Sequence, residues 1–367
     1  MSPKIRKKDP CPCGSGKRYK DCCFKTKKYS RSTTSSQKIP AEITPRKKFP
    51  ISRLQLNRYG QWIREDPDMR EKFSKILEKL GTKKDFLESL SKEWDDKKLK
   101  KMSTKQIIDK LESMNVHFDE EHFKKQAQSY ISAIQFAEDH YYTQNFNAEG
   151  FDEDFIWLAI IELWNRLLPY KGTVEMIDYA MQDGYAYIEH RDYANGLKEW
   201  GHAWNIVKEI VPQKITSIEE ADNFLPVPLT QSLFNWCQDM EVELCNGGLK
   251  DKSWITKRIT YTREFCQLFP DTSSLIIENM MRAEAESYAL LKDTKRAEIL
   301  FEALAKRFPH SKWVYIGWGD IYWHPRFGGD SYDRAEKIYR LGLSQCSSGK
   351  NHIRERLRKL EEERKPD

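Results

Sequence analysis

Apolar residues recur at helical spacing in the part of the chain that follows residue 49. In STKQIIDKLESM, Ser103 stands where a helix N-cap is expected, and the segment DEEHFKKQAQSYISAIQFAEDHYY continues the helical pattern. The pattern predicts a charged helical domain over residues 49–150. One face of its clearest helix carries Ile107, Ile108, Leu111 and Met114.

The segment FDEDFIWLAIIELWNRLLP, which starts at Phe151, predicts a different kind of helix. Acidic residues at its start and Pro169 at its end suit the two ends of a helix. It is apolar on almost every side, so we expect a buried central helix with Trp157 and Trp164 in the core. Its apolar run is much shorter than the roughly 20 residues that cross a bilayer. No transmembrane segment is therefore expected.

Small and aromatic residues recur in the C-terminal half at positions separated by 3, 9 and 4 residues. Two units have these spacings, and a third has four additional residues between its second and third positions, in the region of the segment HPRFGGD. Small residues allow two helices to approach, and the aromatic residues fill the space between them. The positions are Ala285, Tyr288, Ala297 and Phe301; Gly184, Tyr187, Gly196 and Trp200; and Gly319, Tyr322, Ala335 and Tyr339.

This pattern resembles the tetratricopeptide repeat, in which Pro309 would occupy the position that closes the clearest unit. The resemblance implies helical hairpins over residues 151–367, stacked so that a concave face holds a peptide or protein partner. The predicted fold class is therefore mainly α. Its largest part is an all-helical body with repeat-like hairpins.

Charge is distributed unevenly along the chain. Residues 1–48 contain fifteen Lys and Arg and three Asp and Glu, a net charge of +12, whereas the whole chain carries +6, which leaves −6 for the remainder. Such a cationic arm is expected to meet an anionic partner, namely RNA, a lipid surface or an acidic protein, or simply to keep the chain in solution. Residues 31–48 are rich in Ser, Thr and Pro and predict a flexible basic linker.

The stretch DPCPCGSGKRYKDCC holds four of the eight cysteines of the chain. A disulfide framework, a reactive thiol and a metal site are the three chemical explanations for such a cluster. The N-terminus has no apolar run typical of a secretory signal, so we expect a cytoplasmic protein with reduced thiols, which disfavours disulfides. The spacing is not the C-x-x-C of redox pairs. Four thiolates satisfy the tetrahedral preference of Zn²⁺ and leave no open position, as in a structural site.

This stretch closely resembles the SEC-C motif, the zinc-binding tail of the preprotein-translocation ATPase SecA, with the pattern C-x-C-x8-C-[HC]. The resemblance implies a zinc-binding hook over residues 1–30 that docks to a SecB-like chaperone, to the ribosome or to anionic phospholipid. The rest of the chain does not resemble SecA, so translocation activity is not implied. The implied zinc ligands are Cys11, Cys13, Cys22 and Cys23. The expected docking surface is Lys17, Arg18, Tyr19 and Lys20.

The leading hypothesis is a bacterial cytoplasmic adaptor that docks through the zinc hook to the export or translation machinery and holds a second partner on its helical body. The alternative is an RNA-binding or ribosome-binding protein that uses the basic arm. A third hypothesis is an enzyme in the helical body. The sequence contains no nucleophile elbow, Gly-rich cofactor loop or H-E-x-x-H motif, so no enzyme is expected.

Other residues with chemical potential are interpreted as structural. Isolated cysteines among apolar helical residues are expected to be reduced packing residues, and three histidines are expected to be ordinary surface or packing residues. These residues are Cys237, Cys245, Cys266, Cys346, His117, His122 and His140.

Overall fold

Helices make up the regular structure of the part of the chain that the structure describes, so the mainly α fold class is confirmed. The computed structural model describes residues 94–149 and 151–364, together with Pro67, Glu71, Lys72, Ser74 and Lys75. Four short helices come first, with a 3₁₀ turn at Ala127–Ser129 between the third and the fourth. They are α1 (Asp96–Lys100), α2 (Thr104–Ser113), α3 (Glu120–Gln126) and α4 (Ala133–His140).

The start of α2 is set by a reciprocal pair of hydrogen bonds. The Ser103 hydroxyl accepts from the Gln106 backbone N–H at 3.2 Å, and the Gln106 side-chain oxygen accepts from the Ser103 N–H at 2.7 Å. The predicted N-cap is therefore confirmed. Of the predicted apolar face, Ile107, Leu111 and Met114 are buried.

Helix α5 (Phe151–Leu167) is the buried central helix that its composition predicts. Every residue from Phe155 to Trp164 is buried, including Glu162. The helix packs against α1, α2 and α4, so its apolar residues share one hydrophobic cluster with those of the helices before it. Trp164 is fully buried and donates its indole N–H to the Lys171 carbonyl at 3.0 Å.

Ten longer or intermediate helices follow α5 within the described residues, and most of them pack against the next helix in the chain. The short connections make neighbouring helices into hairpins. The helices are α6 (Val174–Glu189), α7 (Tyr193–Ile210), α8 (Ile218–Phe224), α9 (Leu233–Gly247), α10 (Ser253–Leu268), α11 (Ser274–Leu290), α12 (Thr294–Arg307), α13 (Lys312–Trp323), α14 (Tyr332–Gln345) and α15 (Lys350–Arg364).

Most of the small and aromatic residues that repeat along the sequence are buried inside these hairpins, but Tyr187 is 41% exposed and does not fill the space between two helices as expected. A Cβ atom on Gly184 of α6 would overlap the Trp200 indole of α7, and a Cβ atom on Gly319 of α13 would overlap the Tyr339 ring of α14. In each hairpin, therefore, the missing side chain on one helix makes room for an aromatic ring on the other. The clearest unit buries Ala285, Tyr288, Ala297 and Phe301 in a single cluster. Membership of the tetratricopeptide repeat family stays a prediction.

The insertion HPRFGGD forms a loop that packs on the turn between α11 and α12. Lys292 lies in this turn and donates from its ammonium group to the Phe327 carbonyl at 2.6 Å. The Phe327 side chain is buried in the hydrophobic cluster of the last helices. Gly328 adopts a φ of 63°, the left-handed region that glycine reaches without strain.

Three carboxylates complete the fold by accepting hydrogen bonds from distant segments. Asp222 of α8 accepts from the backbone N–H of Leu233 and of Phe234, at the start of α9. Asp178 of α6 accepts from Thr230 in the loop before α9. The third carboxylate, Glu175 of α6, reaches back to the start of α4.

Glu175 has no exposed surface and accepts three hydrogen bonds. The Ser132 hydroxyl donates to it at 2.5 Å, and the Ala133 and Ile134 backbone N–H groups donate at 2.9 and 3.1 Å. The N-terminal N–H groups of a helix lack partners within the helix, so an acceptor from elsewhere must satisfy them. Glu175 therefore joins the cluster around α5 to the hairpins that follow it.

Within the described residues, no helix is both long enough and apolar enough to span a membrane.

Replacing Glu175 with Ala is expected to lower the free energy of unfolding by about 3 kcal/mol, because three buried donors lose a charged acceptor. Glu175→Gln keeps one acceptor oxygen and should lose less. Urea unfolding followed by circular dichroism at 222 nm measures both effects. The matched control is Glu189→Ala on the exposed end of the same helix, which should change the free energy by less than about 0.5 kcal/mol. Equal unfolding midpoints for Glu175→Ala and Glu189→Ala would contradict this role.

Candidate functional site

The predicted zinc ligands and docking residues lie outside the described residues. They are Cys11, Cys13, Cys22 and Cys23 for the metal, and Lys17, Arg18, Tyr19 and Lys20 for docking. The four cysteines can still be compared with the ligands that Zn²⁺ requires. Four thiolates match the ligand number and softness that Zn²⁺ takes in closed structural sites, and Gly14 and Gly16 between the two pairs permit a tight turn. The residues present therefore fit the metal.

The helical body contains the other four thiols of the chain. Cys237, Cys245 and Cys346 are buried and Cys266 is partly buried, and all four are free thiols. Burial raises the pKa of each thiol, that of Cys266 to about 11. These groups are therefore protonated near neutral pH, whereas metal binding and nucleophilic attack require the thiolate.

Two of the three histidines in the first part of the body lie close together. The rings of His122 and His140 have centroids 6.2 Å apart, and burial lowers the pKa of His140. His117 lies apart from them, with Nδ1 3.2 Å from the Glu112 carboxylate. Across the described part of the chain, no three His, Cys, Asp or Glu side chains are grouped to hold a metal ion.

A buried arginine forms the centre of an ion-pair network that joins α9, α10 and α11. Arg258 is 4% exposed and donates from Nε to Glu241 at 2.7 Å. It also donates to the Ser287 hydroxyl at 3.1 Å, and its guanidinium lies 3.5 Å from Glu286. Burial alone would lower the pKa of Arg258, but the neighbouring carboxylates of Glu241 and Glu286 raise it above its ordinary value. Arg258 therefore stays charged and links three helices.

A second buried network lies between α13, α14 and α15. Asp320 accepts a short hydrogen bond from the Tyr339 hydroxyl and lies 3.2 Å from the Arg356 guanidinium. The Trp323 indole N–H donates to the same Tyr339 hydroxyl at 2.6 Å. Burial raises the pKa of Asp320, although the bond from Tyr339 and the charge of Arg356 oppose the rise. The paired and buried carboxylate is suited to holding helices together.

Sequence reasoning did not single out Arg258 or Asp320. Asp320 is the only acidic residue of a largely apolar helix, whereas Arg258 lies in a helix of mixed polar and apolar residues where nothing in the sequence sets it apart. Their partners lie on other helices, so the pairing could not be assigned before the structure.

Comparison with known proteins identifies the N-terminal segment. The SEC-C motif matches residues 8–25. A 20-residue stretch is 75% identical to the protein translocase subunit SecA of Azobacteroides pseudotrichonymphae genomovar. CFP2. That match covers 5% of this chain and 2% of the SecA chain, so the likeness is confined to the motif. No solved structure matches the chain. The resemblance to the SEC-C motif is confirmed.

Protein purified without chelators is expected to carry about one Zn²⁺ per chain, because the four hook thiolates close a tetrahedral site. Cys22→Ser and Cys23→Ser should each lose most of the metal, since a serine hydroxyl is a poor zinc ligand at neutral pH. Elemental analysis by mass spectrometry gives the stoichiometry. The matched control is Cys266→Ser in α10, which removes a protonated thiol and should leave the zinc content unchanged. Full zinc content in Cys22→Ser would exclude the four-cysteine site.

Proposed function

We propose that this protein is a zinc-binding adaptor of the bacterial cytoplasm. Its SEC-C hook docks to the protein-export or translation machinery, and its helical body holds a second protein. The observation that carries the proposal is the complete SEC-C motif at residues 8–25, with all four cysteine positions filled. The similar segment belongs to a protein translocase subunit, which favours partners in protein export.

The role of the metal in this proposal is structural. Four thiolates leave no open coordination position, so the zinc holds the loop in shape and does not bind substrate. Zn²⁺ with four thiolates has a formal charge of −2, and the nearby cations offset it. The cations that remain exposed present a positive surface, for which Lys17, Arg18 and Lys20 are the candidates. The proposal assigns no catalytic step to the hook or to the body.

A SecB-like chaperone and the ribosome are the proposed partners of the hook. The acidic or phosphate-rich surface of such a partner would attract the cations of the hook and would release its counterions on binding. Anionic phospholipid offers the same chemistry and is a further candidate. In this proposal the helical body holds the second protein on the surface of its hairpins, as repeat proteins hold peptides.

Binding of RNA by the basic arm is the second candidate function. The observation that favours it is the net charge of +12 on residues 1–48. An RNA-binding arm would bind naked ribosomal RNA as well as ribosomes. The logarithm of its binding constant would fall steeply and linearly with the logarithm of salt concentration. The arm would also tolerate the loss of zinc, because it needs no fold to neutralise phosphates.

The full-length protein is expected to co-sediment with ribosomes or to bind purified SecB in a zinc-dependent manner. The double substitution Lys17→Glu with Arg18→Glu should weaken this binding at least tenfold and leave the zinc content unchanged, because it reverses the proposed docking charge alone. Co-sedimentation and isothermal titration calorimetry provide the measurements.

The control carries the same charge change on the body, Lys295→Glu with Lys306→Glu, at two exposed lysines of α12. Docking by the hook predicts normal binding for this control and weakened binding for Cys22→Ser. If both charge variants bind equally well, or if zinc removal has no effect while naked RNA binds tightly, the hook is not the docking element. The second of these outcomes would support the RNA-binding candidate instead.

A further inference from the structure

A cleft of about 300 Å³ lies between α5 and the hairpin of α6 and α7, with α1 at its edge. We call it the α5–α7 cleft. Its apolar lining includes Leu158 and Ile161 of α5 and Met176 and Ala180 of α6. Leu158, Ile161 and Ala180 are each about 5% exposed, so they form the floor. Met176 is partly buried and contacts both of the hydrophobic clusters that meet there.

Charged side chains surround this floor. Two carboxylates are neutralised by neighbours: Asp96 lies 3.0 Å from the Lys100 ammonium, and the buried Glu162 lies 2.7 Å from Arg166. Two further carboxylates line the cleft, on Asp183 of α6 and Glu199 of α7. Asp183 is exposed and Glu199 is partly exposed. Glu199 forms no ion pair with any residue that the structure describes, so the cleft has excess negative charge at its opening.

The cleft also lies in the acidic part of the chain. Residues 94–249 contain twenty-seven Asp and Glu and fourteen Lys and Arg, a net charge of −13. Residues 250–364 contain seventeen Asp and Glu and twenty-two Lys and Arg, a net charge of +5. The electrostatic potential around the cleft therefore favours cations and repels phosphate groups. Of the macromolecules that a cleft of this size and lining could hold, a basic polypeptide is complementary in charge, and a nucleic acid is not.

We propose that the α5–α7 cleft is a docking site for a short basic protein segment, in which Lys or Arg residues flank an apolar side chain. The apolar side chain would lie on Leu158, Ile161 and Ala180, and a flanking cation would pair with Glu199. Burial of the apolar side chain supplies affinity, and the ion pair selects basic segments over neutral ones. This proposal names the partner of the helical body within the proposed adaptor function. It does not depend on the zinc hook.

The test uses the full-length protein with ¹³C-labelled methionine methyl groups, because Met176 reports on the floor of the cleft. The probe is the peptide acetyl-Lys-Arg-Leu-Leu-Arg-Lys-amide. Titration should shift the Met176 methyl resonance saturably. Two comparison peptides should bind at least about fivefold more weakly: one in which glutamine replaces each cation, and one in which serine replaces each leucine.

Two protein variants separate the cleft from general attraction to an acidic surface. Glu199→Lys should weaken binding of the probe about fivefold or more, and Glu199→Gln should weaken it less. Glu189→Lys makes the same charge change on the exposed end of α6 and should leave the affinity within about twofold of the wild-type value. Circular dichroism melting establishes that each variant is folded.

Several outcomes overturn the proposal. They are an unshifted Met176 resonance at saturating peptide, equal weakening by Glu199→Lys and Glu189→Lys, and equal binding of the serine-substituted peptide. A shift of the Met176 resonance on addition of single-stranded RNA in place of the peptide would also overturn the proposal. Cys22→Ser should bind the probe normally. Failure of the hook to dock and failure of the cleft to bind are therefore distinguishable, because each is read from a variant that leaves the other site intact.

Discussion

Helix N-termini that are buried against other helices need hydrogen-bond acceptors, and Glu175 meets this requirement where the two parts of the body join. Its carboxylate, on α6, has no exposed surface and accepts hydrogen bonds from backbone N–H groups in the first turn of α4. Because α4 packs on α5, this interaction also sets how α5 lies against the hairpins that follow. The walls of the α5–α7 cleft come from α5, α6 and α7. Its shape therefore depends on a carboxylate that is not part of it.

The charged residues in the interior of the body hold helices in position. Arg258 and Asp320 are buried and are paired with partners on other helices. Breaking a buried pair by removing one partner leaves the other charge uncompensated, so such networks hold helices in one arrangement. The cysteines fall into two groups. Body thiols are kept protonated by burial, while those of the hook are grouped with the spacing of a zinc motif.

Local patterns predicted the helices well, because the signals for a helix lie within the helix or next to it. Ser103 and Gln106 are three residues apart, and the apolar surface of α5 is continuous in the sequence. The pairing of Gly184 with Trp200 could also be inferred, since the two helices are joined by a short turn. The contacts of Asp178 with Thr230 could not, because 52 residues separate them and no local signal links them. The cleft was unpredictable for the same reason. The hook was identified by its motif alone, and its three-dimensional arrangement lies outside the described residues.

The stacking of neighbouring hairpins affects how the body folds and opens. From α4 onward, the main helix contacts join helices that are adjacent or next but one along the chain. Structure of this kind has low contact order, so folding can begin in any hairpin and spread to its neighbours without the closure of long loops. Among the described helices, α14 and α15 pack mainly on each other and on α13, whereas the central hairpins have neighbours on both sides. The exchange of backbone amide hydrogens with solvent should therefore be fastest in α14 and α15 and slowest in the central hairpins, where each helix pair is supported from both sides.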